Sequence, residues 1–171
     1  MEGRSLIDRM RGAAMLDIAT YEEVEHDESL TGQAAMVVVI VAVARAVGGF
    51  NGGEVGILGG ILGALIGWLL WAGITYLIGD KFLGGTATWG ELLRTLGYAQ
   101  APGVLLILGF LPLLGWLVGA VVGVWLLVAG VVAIRQALDF GTGKAVLTAL
   151  LGWLVAIVIP GAILGIKLAG M

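Results

Sequence analysis

From Gln33 to Leu168 the chain is a succession of apolar runs, each roughly 16–26 residues long, joined by short polar or glycine-rich links. They are Gln33–Gly48, Val55–Gly79, Trp89–Leu111, Leu113–Leu138 and Ala145–Leu168. A hydrocarbon core near 30 Å takes about 20 helical residues at 1.5 Å each, so runs of this length fit membrane-spanning helices. The expected fold is therefore all-α and polytopic: five transmembrane helices over 31–171, preceded by an amphipathic interfacial N-terminal helix within an acidic cytoplasmic segment over 1–30.

Hydrophobic residues make up 60% of the chain and charged ones only 12%, about half the charged share of a soluble globular protein. The 30 glycines sit inside the apolar runs, where they let helix backbones approach closely. Gly59, Gly63 and Gly67 in the second run, and Gly115, Gly119 and Gly123 in the fourth, repeat at spacing four and are expected helix-packing faces.

Several chemistries are excluded. Without cysteine there is no disulfide, thiol nucleophile or zinc–thiolate site, and the only histidine, His26, lies outside every apolar run. No metal or cofactor is expected. The net charge of −3 comes mostly from Glu22, Glu23, Glu25, Asp27 and Glu28, and no basic stripe suits nucleic acid. Residues 1–30 lack the apolar core of a signal peptide, so none is expected.

Residues 4–28 read as one amphipathic helix that does not span. Leu6, Ile7, Met10, Ala14, Met15 and Ile18 recur at roughly helical spacing against Arg4, Asp8, Arg9, Arg11 and Asp17. Such a helix lies in the headgroup region or docks on its own membrane domain. The acidic run after it is a solvated face or a dock for a basic partner. Ser29 or Thr31 can cap the first span, and Arg45 near its far end can snorkel to the headgroups. Trp68 is too deep in the second run for an interfacial belt and is expected between helices. Leu111-Pro112-Leu113 is a tight antiparallel return, Arg135 and Asp139 form an i,i+4 pair, and Pro160 should kink the fifth run.

Residues 86–102 are the most informative polar stretch. Thr88 with Glu91 three residues on is a capping box, so a helix starts at Trp89. Gln100 then lies roughly 16 Å deep, near the bilayer midplane, where an unpartnered amide costs on the order of a few kcal/mol. Pro102 removes a donor and frees the Tyr98 carbonyl. Tyr98, Gln100 and Pro102 are thus the candidate polar centre.

The basic residues set the orientation. An inside N-terminus puts Arg4, Arg9, Arg11, Lys81, Arg94, Arg135 and Lys144 on the cytoplasmic side, and Arg45 and Lys167 on the other. That bias predicts N-in, C-out in the cytoplasmic membrane.

Tyr21-Glu22-Glu23-Val24, the segment Trp71–Gly79, the segment Glu91–Pro102, Leu113-Leu114-Gly115-Trp116 and Ala137-Leu138-Asp139-Phe140 together resemble the Yip1-domain family in its short bacterial form. The resemblance runs from about Tyr21 to Gly165, and implies five spans, an inner-membrane location and a cytoplasmic N-terminus. In eukaryotic relatives it implies small-GTPase partners, but their Asp-Leu-Tyr-Gly-Pro motif is absent here, so that partner is not carried over.

No nucleophile–base arrangement is visible, and Arg94 and Arg135 offer Glu91 and Asp139 plain ion pairs, so an enzyme is not expected. The expected function is a non-catalytic interaction, scaffold or accessory subunit of a membrane assembly, or a protein of membrane organisation. Its partners would be lipids and other membrane subunits or further copies of itself. The alternative is a small permease or channel-like protein with a midplane polar site near Gln100.

Overall fold

The computed structural model describes residues 4–50, 56–152 and 154–155. Every regular element among them is helical. In order they are α1 (Leu6–Ala14), α2 (Ile18–His26), α3 (Thr31–Val47), α4 (Ile57–Tyr76) with a π-helical extension over Leu77–Phe82, and α5 (Trp89–Tyr98). A 3₁₀ segment (Ala101–Phe110), α6 (Gly115–Ala137) and α7 (142–152) complete them. Four stretches are long and apolar enough to cross a membrane: Glu28–Val47, Ile57–Phe82, Trp89–Phe110 and Gly115–Ala137. Most of the expected fifth span, with Pro160, lies outside the described residues; its start, from Ala145, is helical.

The N-terminal segment is two helices, not the single one expected. Ser5 and Asp8 cap α1 reciprocally, and Asp17 caps α2 by accepting from the Thr20 amide at 3.2 Å. Between them Leu16 adopts φ 60°, rare for a residue with a branched side chain, and turns α2 back on α1. The resulting hairpin buries Ala13, Tyr21 and Val24 completely and packs on α5, α6 and the 3₁₀ segment. Docking on the chain's own helices is thus the geometry adopted.

The centre of the fold is α5. Its capping box forms as the spacing predicts, and every residue from Leu92 to Ala99 is buried. Buried on all sides, α5 contacts α2, α3, α4 and α6. The helix ends where Pro102 can no longer donate to the Tyr98 carbonyl. The Gln100 amide bonds the Gly97 carbonyl and the Gly103 amide the Gln100 carbonyl, so the chain tightens into 3₁₀ geometry instead of running on with a kink. At 2.0 Å per residue the tightened segment adds roughly 20 Å to the roughly 15 Å of α5.

α3 runs parallel to this axis, with Ala34 beside Gly97, Val41 beside Gly103 and Gly48 beside Leu106. A Cβ at Gly97 would sit 2.8 Å from the Ala34 methyl, so only glycine permits this approach. The first span has no side-chain cap; Asp27 instead caps the short turn before it. The tight return before α6 is present, closed by the Gly115 amide on the Leu111 carbonyl with Leu113 at φ 66°. α4 is the least enclosed span and turns Leu58, Leu62, Ile66 and Leu70 outward.

Candidate functional site: a polar latch and an apolar cavity on two sides of α5

The two sides of α5 differ in chemistry. Toward the hairpin, the Tyr98 hydroxyl donates to Gln33 Oε1 at 2.9 Å, and Arg9 Nη1 donates to the same oxygen at 3.2 Å. Arg9 Nε donates to Glu23 Oε1 at 2.8 Å, and Arg4 closes the chain on Glu23 Oε2 at 3.2 Å. Arg9 is only 6% exposed, so its charge is compensated by Glu23 and its second arm by Gln33. The network ties α1, α2, α3 and α5 together.

Arg94 makes the second tie. It donates through Nε to the Val24 carbonyl at 2.8 Å and through Nη2 to the Glu25 carbonyl, at the end of α2. A guanidinium there satisfies free carbonyls and meets the negative end of the helix. The expected Glu91–Arg94 ion pair therefore does not form, and Glu91 serves the α5 cap. Arg135 and Asp139 are not an ion pair either: Asp139 turns to φ 52° and accepts from Thr86 Oγ1 at 2.8 Å. Around the end of α2, burial pushes the Glu25 carboxyl up to about 7, with Glu91, Asp139 and Glu22 reinforcing the shift and His26 opposing it. His26 itself is raised, first by its bond to the Glu22 carbonyl and then by Glu25.

The tip of the hairpin reaches far along the bundle. Trp125 Nε1 donates to the Ala14 carbonyl at 2.8 Å, and Trp125 stands near the middle of α6, roughly 15 Å from one end and 18 Å from the other. The hairpin's outer face is mixed, with Ile7, Met15 and Ile18 exposed beside charged groups. Arg4 and Asp17 are 41% and 45% exposed in their side chains, and Asp8 and Arg11 are exposed too. Hydrogen bonds from Ser5 and from Thr20 hold the Asp8 and Asp17 carboxyls below the usual range, so both stay ionised at neutral pH.

On the other side of α5 a cavity of about 660 Å³ opens between α3, α4, α6 and α7. Its walls include Arg45, Gly63, Gly67, Trp68, Gly123 and Gln100. Trp68 is 5% exposed and donates through Nε1 to the Leu93 carbonyl at 3.0 Å, packed between helices as its depth requires.

The residues singled out in the sequence thus separate. Tyr98 joins the latch, Gln100 lines the cavity, and Pro102 sits buried in the first turn of the 3₁₀ segment. Of the glycines, Gly115 lies against the Gly109 carbonyl and Gly119 against the Phe50 ring. Gly63, Gly67 and Gly123 have nothing within 4 Å of where a Cβ would stand, and Gly59 is exposed. Arg9, Glu23 and Gln33 were not among the expected site residues. The readable signal for them was Asp17 three residues before Thr20, a cap that splits residues 4–28 and folds α1 back.

Among the described residues no three histidine, cysteine or carboxylate side chains gather as a metal site, and His26 is exposed. The arrangement offers hydrogen bonding, charge and apolar volume. A family model described as Yip1 domain matches residues 18–163, which takes in α2 and all four apolar stretches and leaves α1 outside. No curated protein and no solved structure matches the chain.

Proposed function

The chain belongs to the Yip1-domain family, and from that premise we propose that it is a non-catalytic interaction subunit of a membrane assembly. The observation that carries this reading is the set of exposed charges on the α1–α2 hairpin, Arg4, Asp8, Arg11 and Asp17, with the hairpin tip reaching Trp125 of α6. An ionised side chain costs on the order of 3 kcal/mol at the bilayer centre and less toward the headgroups, so charges on a hairpin that reaches along α6 favour a polar surface over hydrocarbon. Arg4 is paired with Glu23 within the chain, and a second protein surface, from another subunit or a second copy, would pair Asp8 and Arg11. Both signs occur on the face, which suits a second copy as well as a different subunit. The proposed topology is five spans, N-in and C-out, in the cytoplasmic membrane, and the basic-residue bias supports it.

Light scattering of the protein extracted in mild detergent tests this. The reading expects a particle larger than one 17.6 kDa chain, reduced to a monomer by Arg11→Glu, which leaves the bonds of Arg4 and Arg9 to Glu23 in place. A monomer in every mild detergent removes it.

One observation favours a second reading. Gln100 lines the cavity and makes no side-chain hydrogen bond among the described residues, as a polar station in a small permease would. Solute uptake into proteoliposomes that Gln100→Leu abolishes would put this reading first.

A further inference from the structure

We propose that the cavity between α3, α4, α6 and α7 is a lipid site, which takes one acyl chain of an anionic phospholipid and holds its phosphate at Arg45. The inference rests on the chain being a membrane protein and is independent of the assembly role. Size decides first. On α4 the lining runs from Gly60 to Trp71, about 16 Å at 1.5 Å per residue and roughly half of a 30 Å core, so a spanning partner helix does not fit. At about 660 Å³ the cavity lies in the range of small-ligand pockets.

The walls match a chain. Gly63 and Gly67 on α4 face Gly123 on α6, and none carries a side chain into the space. Trp68 supplies an apolar wall beside them. Left empty, such a slot forfeits dispersion contacts on every side, and in a bilayer the abundant apolar molecule is the acyl chain.

The polar groups match a head. Arg45 stands in the last turn of α3, exposed and lining the cavity, and forms no ion pair among the described residues. Its position at the end of a span is the level of the phosphates, and a guanidinium grips phosphate through two parallel donors. Gln100 lines the same cavity farther from the end of the span, and its side-chain amide, which makes no hydrogen bond among the described residues, can donate to a polar atom of the bound lipid.

The test is native mass spectrometry of the full chain, taken from vesicles of three parts phosphatidylcholine to one part phosphatidylglycerol into mild detergent. The wild type should keep one phosphatidylglycerol per chain in preference to phosphatidylcholine. The Cβ of Gly67→Leu meets nothing within 4 Å and its branch enters the slot, so the variant should unfold at about the same temperature and lose retained lipid about tenfold. Gly123→Leu, on the facing wall, does the same from the other side and stands in if Gly67→Leu does not fold. Arg45→Gln should keep a lipid and lose the preference between the two. A wild type that retains no lipid, or a folded glycine variant that retains as much as the wild type, overturns the proposal. The same spectra report oligomeric state: a monomer carrying one phosphatidylglycerol sinks the assembly reading and leaves the lipid site standing.

Discussion

The Tyr98 hydroxyl donates to the Gln33 side-chain oxygen at 2.9 Å, joining the last turn of α5 to the first turn of α3. Because Arg9 donates to the same oxygen, this bond also fixes the hairpin. Tyr98→Phe removes one bond and leaves Gln33 its other donor, a loss of about 1 kcal/mol. Arg9→Met removes the bonds to Glu23 Oε1 and to Gln33 at once and leaves Glu23 only Arg4, a loss of about 2 kcal/mol or more. Thermal unfolding in detergent should rank Arg9→Met below Tyr98→Phe. The double variant should lose more than the sum, since only it strips the acceptor that the two residues share of both donors. Strict additivity would show that the latch is not a network.

The glycines divide by what a side chain would meet. At Gly115 a Cβ would stand 2.5 Å from the Gly109 carbonyl, and at Gly97 2.8 Å from the Ala34 methyl. Gly115→Leu and Gly97→Leu should therefore yield little folded protein. Gly63→Leu, whose Cβ meets nothing within 4 Å, should fold. Yield of monodisperse protein on sizing columns checks this, and equal damage at Gly63 and Gly115 would contradict the division.

What was legible follows from how local each feature is. The Thr88–Glu91 cap, the return at Leu111–Leu113 and the inward Trp68 depend on spacing and depth along one element, and each is present. The break at Leu16 leaves only an indirect mark, the Asp17–Thr20 cap that follows it, because a leucine at positive φ carries no compositional mark of its own. Nor could periodicity tell that Arg9, and not Asp8 or Arg11 beside it on α1, is the one that turns inward, against the side where Tyr21 and Val24 are buried. Spacing four identified the glycine ladders but not which rungs touch a neighbour. That Tyr98 and Gln100 serve opposite sides of α5 follows from their spacing, since two residues turn a helix by about 200°, but spacing does not say which side carries the hairpin.

Stability should depend on pH through the end of α2. Glu25 is raised from an ordinary 4.5 to about 7, so the native state binds its proton more tightly than the unfolded chain does. That contribution is complete below about 4.5 and is lost as pH rises through about 7. His26, also raised, adds in the same direction, with its share present below 6.5 and lost above its folded value. The unfolding temperature should fall between pH 5 and 8, and Glu25→Gln should flatten the fall. An unchanged slope in Glu25→Gln would assign the dependence elsewhere.

Topology can be read with single cysteines, since the chain has none of its own. Asn51→Cys and Met171→Cys should react with an impermeant maleimide from outside the cell, and Gly143→Cys, in open space, only after lysis. Labelling of Asn51→Cys and Gly143→Cys from the same side would rule out the five-span arrangement.

The charged face of the hairpin offers the decisive measurement. A benzophenone amino acid placed at Arg11, exposed on that face, is photolysed in native membranes. Adducts to protein, whether a second copy or another subunit, are the result expected if the hairpin docks an assembly. Adducts to lipid alone, with the chain still folded, would mean that the face meets the bilayer and that no partner covers it.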